Sequence, residues 1–119
     1  MNPSFPEALN NLAELKNQTK EFNEAKQLCE KAIKLNKNYA EAYNNLGNSF
    51  MNLGFYKEAN TFYEKSLVLN NPNKYSVLNN LGLVNAFLNN FKVSNKYLIQ
   101  ATNLIPKESE AVNTLASIV

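Results

Sequence analysis

This 119-residue chain has no histidine, no aspartate and no arginine; its 12 basic residues are all lysine and its 10 acidic residues all glutamate. Without histidine there is no His-based catalytic triad and no usual zinc set. A single cysteine, Cys29, excludes an intrachain disulfide and leaves the redox compartment open. The three glycines, Gly47, Gly54 and Gly82, are too scattered to form a phosphate-cradling loop. No apolar run reaches the ~18 residues of a membrane span, and no basic-then-apolar leader opens the sequence, so the cytoplasm is the default expectation. A net charge of +2, with lysines dispersed among glutamates, gives no footprint for nucleic acid or an anionic membrane. Only Glu, Lys and Tyr remain as acid–base groups. Pairs such as Glu7/Glu14 fall at helical spacing on an expected solvated face. The sequence therefore reads as non-enzymatic, with no cofactor and no metal.

What is present is a core and a surplus of asparagine. Apolar residues make up 45% of the chain, enough to build an interior. Asn is far above its usual share, and the excess of Lys, Asn and Ile over Arg, Gly and Ala matches AT-rich coding DNA. That bias competes with any chemical reading of an individual Asn, and the sequon Asn17-Gln18-Thr19 is discounted for the same reason.

Three segments nearly repeat: LNNLAEL from Leu9, YNNLGNS from Tyr43 and LNNLGLV from Leu78. Aligned on Leu12, Leu46 and Leu81, the rest falls into register. Leu9, Tyr43 and Leu78 stand three residues before. A small residue follows each time (Ala13, Gly47, Gly82). An aromatic comes ten residues on (Phe22, Tyr56, Phe91), then a small residue again (Ala25, Ala59, Ser94), and another seven later (Ala32, Ser66, Ala101). Leu35, Leu69 and Leu104 close the units. Val112, Leu115 and Ala116 open a fourth copy. The apolar spacing is helical, with Leu9, Leu12, Ala13 and Leu15 on one face and Phe22, Ala25, Leu28, Cys29, Ala32 and Ile33 on another. Short polar breaks divide each unit, so each is two antiparallel helices packed through small residues. Cys29 occupies a core position, as a buried inert thiol. The tyrosines and phenylalanines are assigned mostly to core positions as well. Ser4-Phe5-Pro6-Glu7 has the form of a capping box opening the first helix. Pro72 follows an inserted residue in the second linker, and Pro106 sits in the next one.

The pattern resembles the tetratricopeptide repeat over nearly the whole chain, most fully in AEAYNNLGNSFMNLGFYKEANTFYEKSLVLN, Ala40 to Asn70. A pentatricopeptide reading shares the length but fits the Leu-Gly and Ala-to-Ala spacings worse. The resemblance implies an all-α, right-handed solenoid of tandem helix pairs, a TPR superhelix. Its units are residues 6–39, 40–74 and 75–108, followed by a partial repeat at 109–119. It also implies a scaffold whose first helices line a concave groove for a protein or peptide partner. Carried onto this sequence, the groove positions are Glu7, Asn10, Asn11, Glu14, Asn17 and Gln18; Glu41, Asn44, Asn45, Asn48, Met51 and Asn52; and Ser76, Asn79, Asn80, Leu83, Ala86 and Phe87. Asn11, Asn45 and Asn80 recur in one row, similar to the asparagine ladder of O-linked N-acetylglucosamine transferases. A side-chain amide offers a donor and an acceptor to a peptide unit. Three amides making two bonds each at ~1 kcal/mol give ~6 kcal/mol, below the ~8 kcal/mol of micromolar binding. Such a ladder sets register, while Met51, Leu83 and Phe87 are the candidate apolar anchors. Coding bias, with Phe87 packed under a fourth repeat, is the competing explanation. Chaperone-tail-binding relatives clamp a carboxylate with cations; here those places hold Asn10, Glu14, Asn45, Ser76 and Asn80, which implies no such grip.

Two further expectations concern context. The chain reads as a piece of a longer array, either an interaction module, the non-catalytic repeat segment of an enzyme such as a glycosyltransferase or sulfotransferase, or a spacer. Exposed apolar ends would then drive head-to-tail self-association, through Val112, Leu115, Ile118 and Val119 at one end and Leu9, Leu12 and Leu15 at the other.

Overall fold

The computed structural model describes residues 5–104, which form six helices: α1 (Pro6–Gln18), α2 (Phe22–Leu35), α3 (Ala40–Asn52), α4 (Tyr56–Val68), α5 (Lys74–Phe87) and α6 (Phe91–Asn103). Among the described residues there is no strand. Each of the three repeats contributes one helix pair, as the register of its small residues predicts. The fourth partial repeat and Pro106 lie outside the described residues. Helix α1 opens with Pro6 in its first turn and Phe5 at the N-cap, with no side-chain cap bond. The fixed φ of Pro6 suits the first helical position; the capping box expected from Ser4 lies outside the described residues.

The turn inside each repeat is built one way. Its middle residue is Lys20, Gly54 or Asn89, with φ of 67°, 89° and 63°. In each case the next N–H reaches back to the helix, as in Glu21 N to Lys16 O at 2.8 Å, Phe55 N to Phe50 O at 2.9 Å and Asn90 N to Asn85 O at 2.8 Å. This satisfies carbonyls that a helix end would orphan. Only Gly54 holds the residue type that this left-handed backbone favours. Asn70 (φ 60°) repeats the turn after α4, with Asn71 N donating to Ser66 O at 3.2 Å. The inserted residue before Pro72 is thus spent on an extra helix-stopping turn.

Every helix packs on its sequence neighbours. In addition α1 touches α3 and α3 touches α5, whereas α2 and α4 do not meet, nor do α4 and α6. The array therefore curves, with α1, α3 and α5 on its inner side. The interior is assembled from small residues and a few large ones. Leu9, Ala32 and Ala42 form one cluster; Ala13, Cys29 and Leu46 a second; Ala59, Tyr63, Val77, Leu81 and Val84 a third. Of the aromatics only Tyr63 is fully buried, and Phe5, Phe55, Tyr75, Phe87 and Phe91 are exposed. Assigning them mostly to core positions was too strong, because a layer one helix pair thick leaves each pair with open flanks. The half-buried rings pack on one another instead, with Phe50 and Phe62 centroids 5.1 Å apart and Tyr43 and Phe62 6.4 Å apart.

The expected apolar face on α1 is also narrower than its spacing suggested. Leu9 is buried against Ala32 and Ala42, Leu12 is half-buried, and only Leu15 is exposed. The opposite end of the proposed self-association, Val112, Leu115, Ile118 and Val119, lies outside the described residues.

Candidate functional site: an asparagine-lined groove

The paired asparagines join one repeat to the next. Asn45 Nδ2 donates to Asn10 Oδ1 at 2.7 Å, and one repeat on, Asn80 Nδ2 donates to Asn44 Oδ1 at 3.0 Å. In both seams the second Asn of a pair reaches the first Asn of the preceding pair. The first seam is the more buried, with Asn10 6% and Asn45 8% exposed. It is reinforced by Asn17, whose Nδ2 donates to Asn45 O at 3.1 Å and whose Oδ1 accepts from Ser49 Oγ at 3.0 Å. At the second seam Asn80 spends its other amide hydrogen on Asn48 Oδ1 at 3.3 Å, an oxygen that also accepts from the Tyr63 hydroxyl at 2.6 Å. Asn44 Nδ2 lies 3.5 Å from Ser76 Oγ. No buried side-chain N or O among the described residues lacks a partner.

Above the first seam lies a groove of about 450 Å³, and nine of its 14 lining residues are asparagine. Helix α1 supplies Asn10, Asn11, Glu14, Asn17 and Gln18, and α3 supplies Glu41, Asn44, Asn45, Asn48 and Asn52; Ser76 comes from α5. The rest are Tyr39, Asn71 and Asn73. Among the described residues the groove contains no lysine, and its only charged groups are the carboxylates of Glu14 and Glu41.

The sequence-derived positions divide between this groove and its surroundings. Asn10, Asn11, Asn44, Asn45 and Asn48 meet in the groove wall. Asn80 stands at the second seam, outside the groove, and half-buried Asn79 is outside it too. Met51 is half-buried against the Tyr63 cluster, its sulfur 3.6 Å from the Tyr63 hydroxyl. Leu83 and Phe87 are about half exposed, and the Phe87 ring stacks on Tyr56 with centroids 4.9 Å apart and planes 6° apart. Tyr39, Asn71 and Asn73 were not anticipated. They sit in linkers, which helical periodicity does not reach; the inserted residue beside Pro72 was the one available hint. Burial and the nearby Glu41 raise the Tyr39 pKa, while a side-chain bond with Asn10 acts the other way.

Burial pushes the Cys29 thiol from 9.0 up to about 12, so it stays protonated and inert. Burial also raises Tyr63. Lys16 is tied to Glu24 at 3.0 Å and Glu21 at 3.3 Å, the two bonds that raise its pKa, and does not line the groove. Among the described residues no group of three or more acidic or Cys side chains could hold a metal, and no helix is long and apolar enough to cross a membrane.

Comparison with known proteins agrees with this architecture. A family model described as TPR repeat matches residues 16–54, and one described as tetratricopeptide repeat matches residues 40–73. No curated protein matches. Among solved structures, the chain is similar to YrrB, a TPR protein with an unusual peptide-binding site, at 31% identity and a TM-score of 0.74; the alignment covers 81% of this chain and 49% of YrrB. It is similar to MamA at 25% identity and a TM-score of 0.76, over 94% of this chain and 63% of MamA. The Arabidopsis OM64 TPR domain shares the fold over 100% of both chains, with a TM-score of 0.80 and 21% identity. The chain thus spans about half the length of YrrB and under two thirds of MamA.

Proposed function

Because the chain is built from tetratricopeptide repeats, a protein-interaction architecture, we propose that it receives an extended peptide along the face formed by α1, α3 and α5. The observation that carries this reading is the groove itself: about 450 Å³ of open space walled by side-chain amides from successive repeats. A surface of this composition has no apolar floor to hold a small drug-like ligand by burial, but it matches the evenly spaced donors and acceptors of a peptide backbone. The peptide-binding site of YrrB is consistent with such a use.

The seam bonds refine the ladder. Asn45 and Asn80 donate to the preceding repeat, so each turns an amide oxygen toward the ligand, while Asn11 keeps both ends of its amide. The peptide N–H groups are therefore the partners of Asn45 and Asn80. On α5, Leu83 and Phe87 follow Asn80 by three and seven residues, on the same helix face. They form the apolar anchor beyond the polar groove; Met51 supports it from the Tyr63 cluster.

The test is selection from a random peptide library followed by titration into the isotope-labelled chain. Selected peptides are expected to shift amide signals of α1, α3 and α5 and to lose affinity in Asn11→Ala. Shifts confined to α2, α4 and α6 would reject the groove.

A further inference from the structure

We infer that this groove selects a cationic segment: its ligand is an extended peptide that carries a lysine or arginine into the space between Glu14 and Glu41. The inference rests on the peptide reading above and adds the ligand's charge.

Two observations support it, and a third constrains it. The first is the charge of the wall. Among the described residues Glu14 and Glu41 are its only acidic or basic side chains, both are exposed, and the ion pairs all belong to Lys16 with Glu21 and Glu24. Among the described residues, then, no ammonium group pairs with either carboxylate.

The second is the direction of the amides. Asn17 donates to Asn45 O, Asn45 to Asn10, Asn52 to Asn48 O at 2.7 Å and Asn71 to Ser66 Oγ at 2.9 Å. Six of the nine groove amide oxygens, those of Asn10, Asn17, Asn44, Asn48, Asn71 and Asn73, also accept bonds within the protein, which leaves the oxygens of Asn11, Asn45 and Asn52. The decisive one is Asn45 Oδ1. Its residue is only 8% exposed, the oxygen receives no hydrogen bond among the described residues, and no buried side-chain oxygen lacks a partner. Asn45 lines the groove, so an oxygen left free on it is available to a ligand there. Two carboxylates beside this free oxygen call for a ligand that brings an N–H donor and a positive charge. Lysine and arginine side chains, which have donors and no acceptor, meet both demands.

The third is that the protein as a whole carries a charge of +2. The overall field works against a cationic ligand, so a preference for one has to arise locally. An acidic peptide would bring its carboxylates against those of Glu14 and Glu41, with no lysine among the described lining residues to receive them.

The experiment compares three capped peptides of equal length, alternating serine with lysine, glutamine or glutamate, titrated into the isotope-labelled full chain at low and high salt. The lysine peptide is expected to shift α1 and α3 signals and to bind about 10-fold tighter than the glutamine peptide at low salt, with the advantage shrinking as salt screens it. Glu14→Gln and Glu41→Gln should each cost about 3-fold, as expected for exposed pairs. Glu58→Gln, exposed on α4 and outside the groove lining, should change nothing. Equal binding of the lysine and glutamine peptides, or tighter binding of the glutamate peptide, overturns the charge preference and leaves the peptide groove standing. An unchanged lysine preference in the Glu14→Gln/Glu41→Gln double variant also overturns it. If none of the three peptides moves a groove signal, the inference and the peptide reading fall together.

Discussion

At its tightest helix crossing, repeat one sets Ala13 beside Cys29, whereas repeat two sets Gly47 beside Tyr63. The positions are equivalent, each pair being 16 residues apart in the same register. A Cβ on Gly47 would lie 2.5 Å from the Tyr63 ring, which is fully buried and tied to Asn48. Repeat one fits a methyl group in that place because its partner is a thiol, not a ring. The small residue after the central leucine is therefore no fixed requirement of the motif; it is the volume complement of one residue in the second helix. Repeat three gives the intermediate case. A Cβ on Gly82 would meet the Leu98 side chain at 2.5 Å, but Leu98 is 40% exposed and able to turn aside.

The sharpest way to break this comparison is to violate the complement. Gly47→Leu is expected to destabilise by about 3 kcal/mol through overpacking, and Gly82→Ala by less than about 0.5 kcal/mol because Leu98 yields; chemical denaturation of both variants measures the gap. The same logic predicts coupling in repeat one. Cys29→Tyr should lose about 2–3 kcal/mol, and adding Ala13→Gly should recover at least about 1 kcal/mol of it. Additive losses would show that the two sites do not share one space.

The seams come next in size. Asn45→Ala strips a buried acceptor on Asn10 of its partner and is expected to cost about 2 kcal/mol; Asn80→Ala, at the wetter seam, about 1 kcal/mol. Equal losses would mean that burial does not separate the two seams. The core thiol sharpens the contrast between repeats through pH. A folded-state pKa raised from 9.0 to about 12 means that the unfolded chain releases this proton first, so stability falls as pH rises between those values. Relative to Cys29→Ala, the parent should lose about 1 kcal/mol between pH 9 and 10. The smallest effects are in the turns. Lys20→Gly should gain about 1 kcal/mol and Asn89→Gly about half that, since asparagine tolerates the left-handed backbone better than lysine. A melting temperature unchanged in both would show that these turns are unstrained.

The helix pairs and their small-residue crossings were legible in the sequence, because periodicity and residue volume act over short distances. Gly47 was readable as a packing glycine before its partner ring was known. The asparagines were legible as a row on the inner helices, but not as a seam. Whether Asn45 faces a ligand or Asn10 depends on how closely α1 and α3 approach, and no local pattern encodes that separation. The linkers hid Tyr39, Asn71 and Asn73 for a related reason: they belong to no helical face, and the curvature of the array brings them to the groove.

The uneven contacts between helices also have a mechanical side. On the outer side α2, α4 and α6 leave room between them, whereas on the inner side α1, α3 and α5 touch and are latched by amides. Flattening the array would stretch the inner edge and break the Asn45–Asn10 and Asn80–Asn44 bonds; curling it further would drive touching helices into one another. Bending is thus resisted in both directions about one edge, and the span from one repeat to the next behaves as a stiff ruler. An extended chain laid along it would find the spacing of its contacts set in advance, with little ordering left to be done on binding.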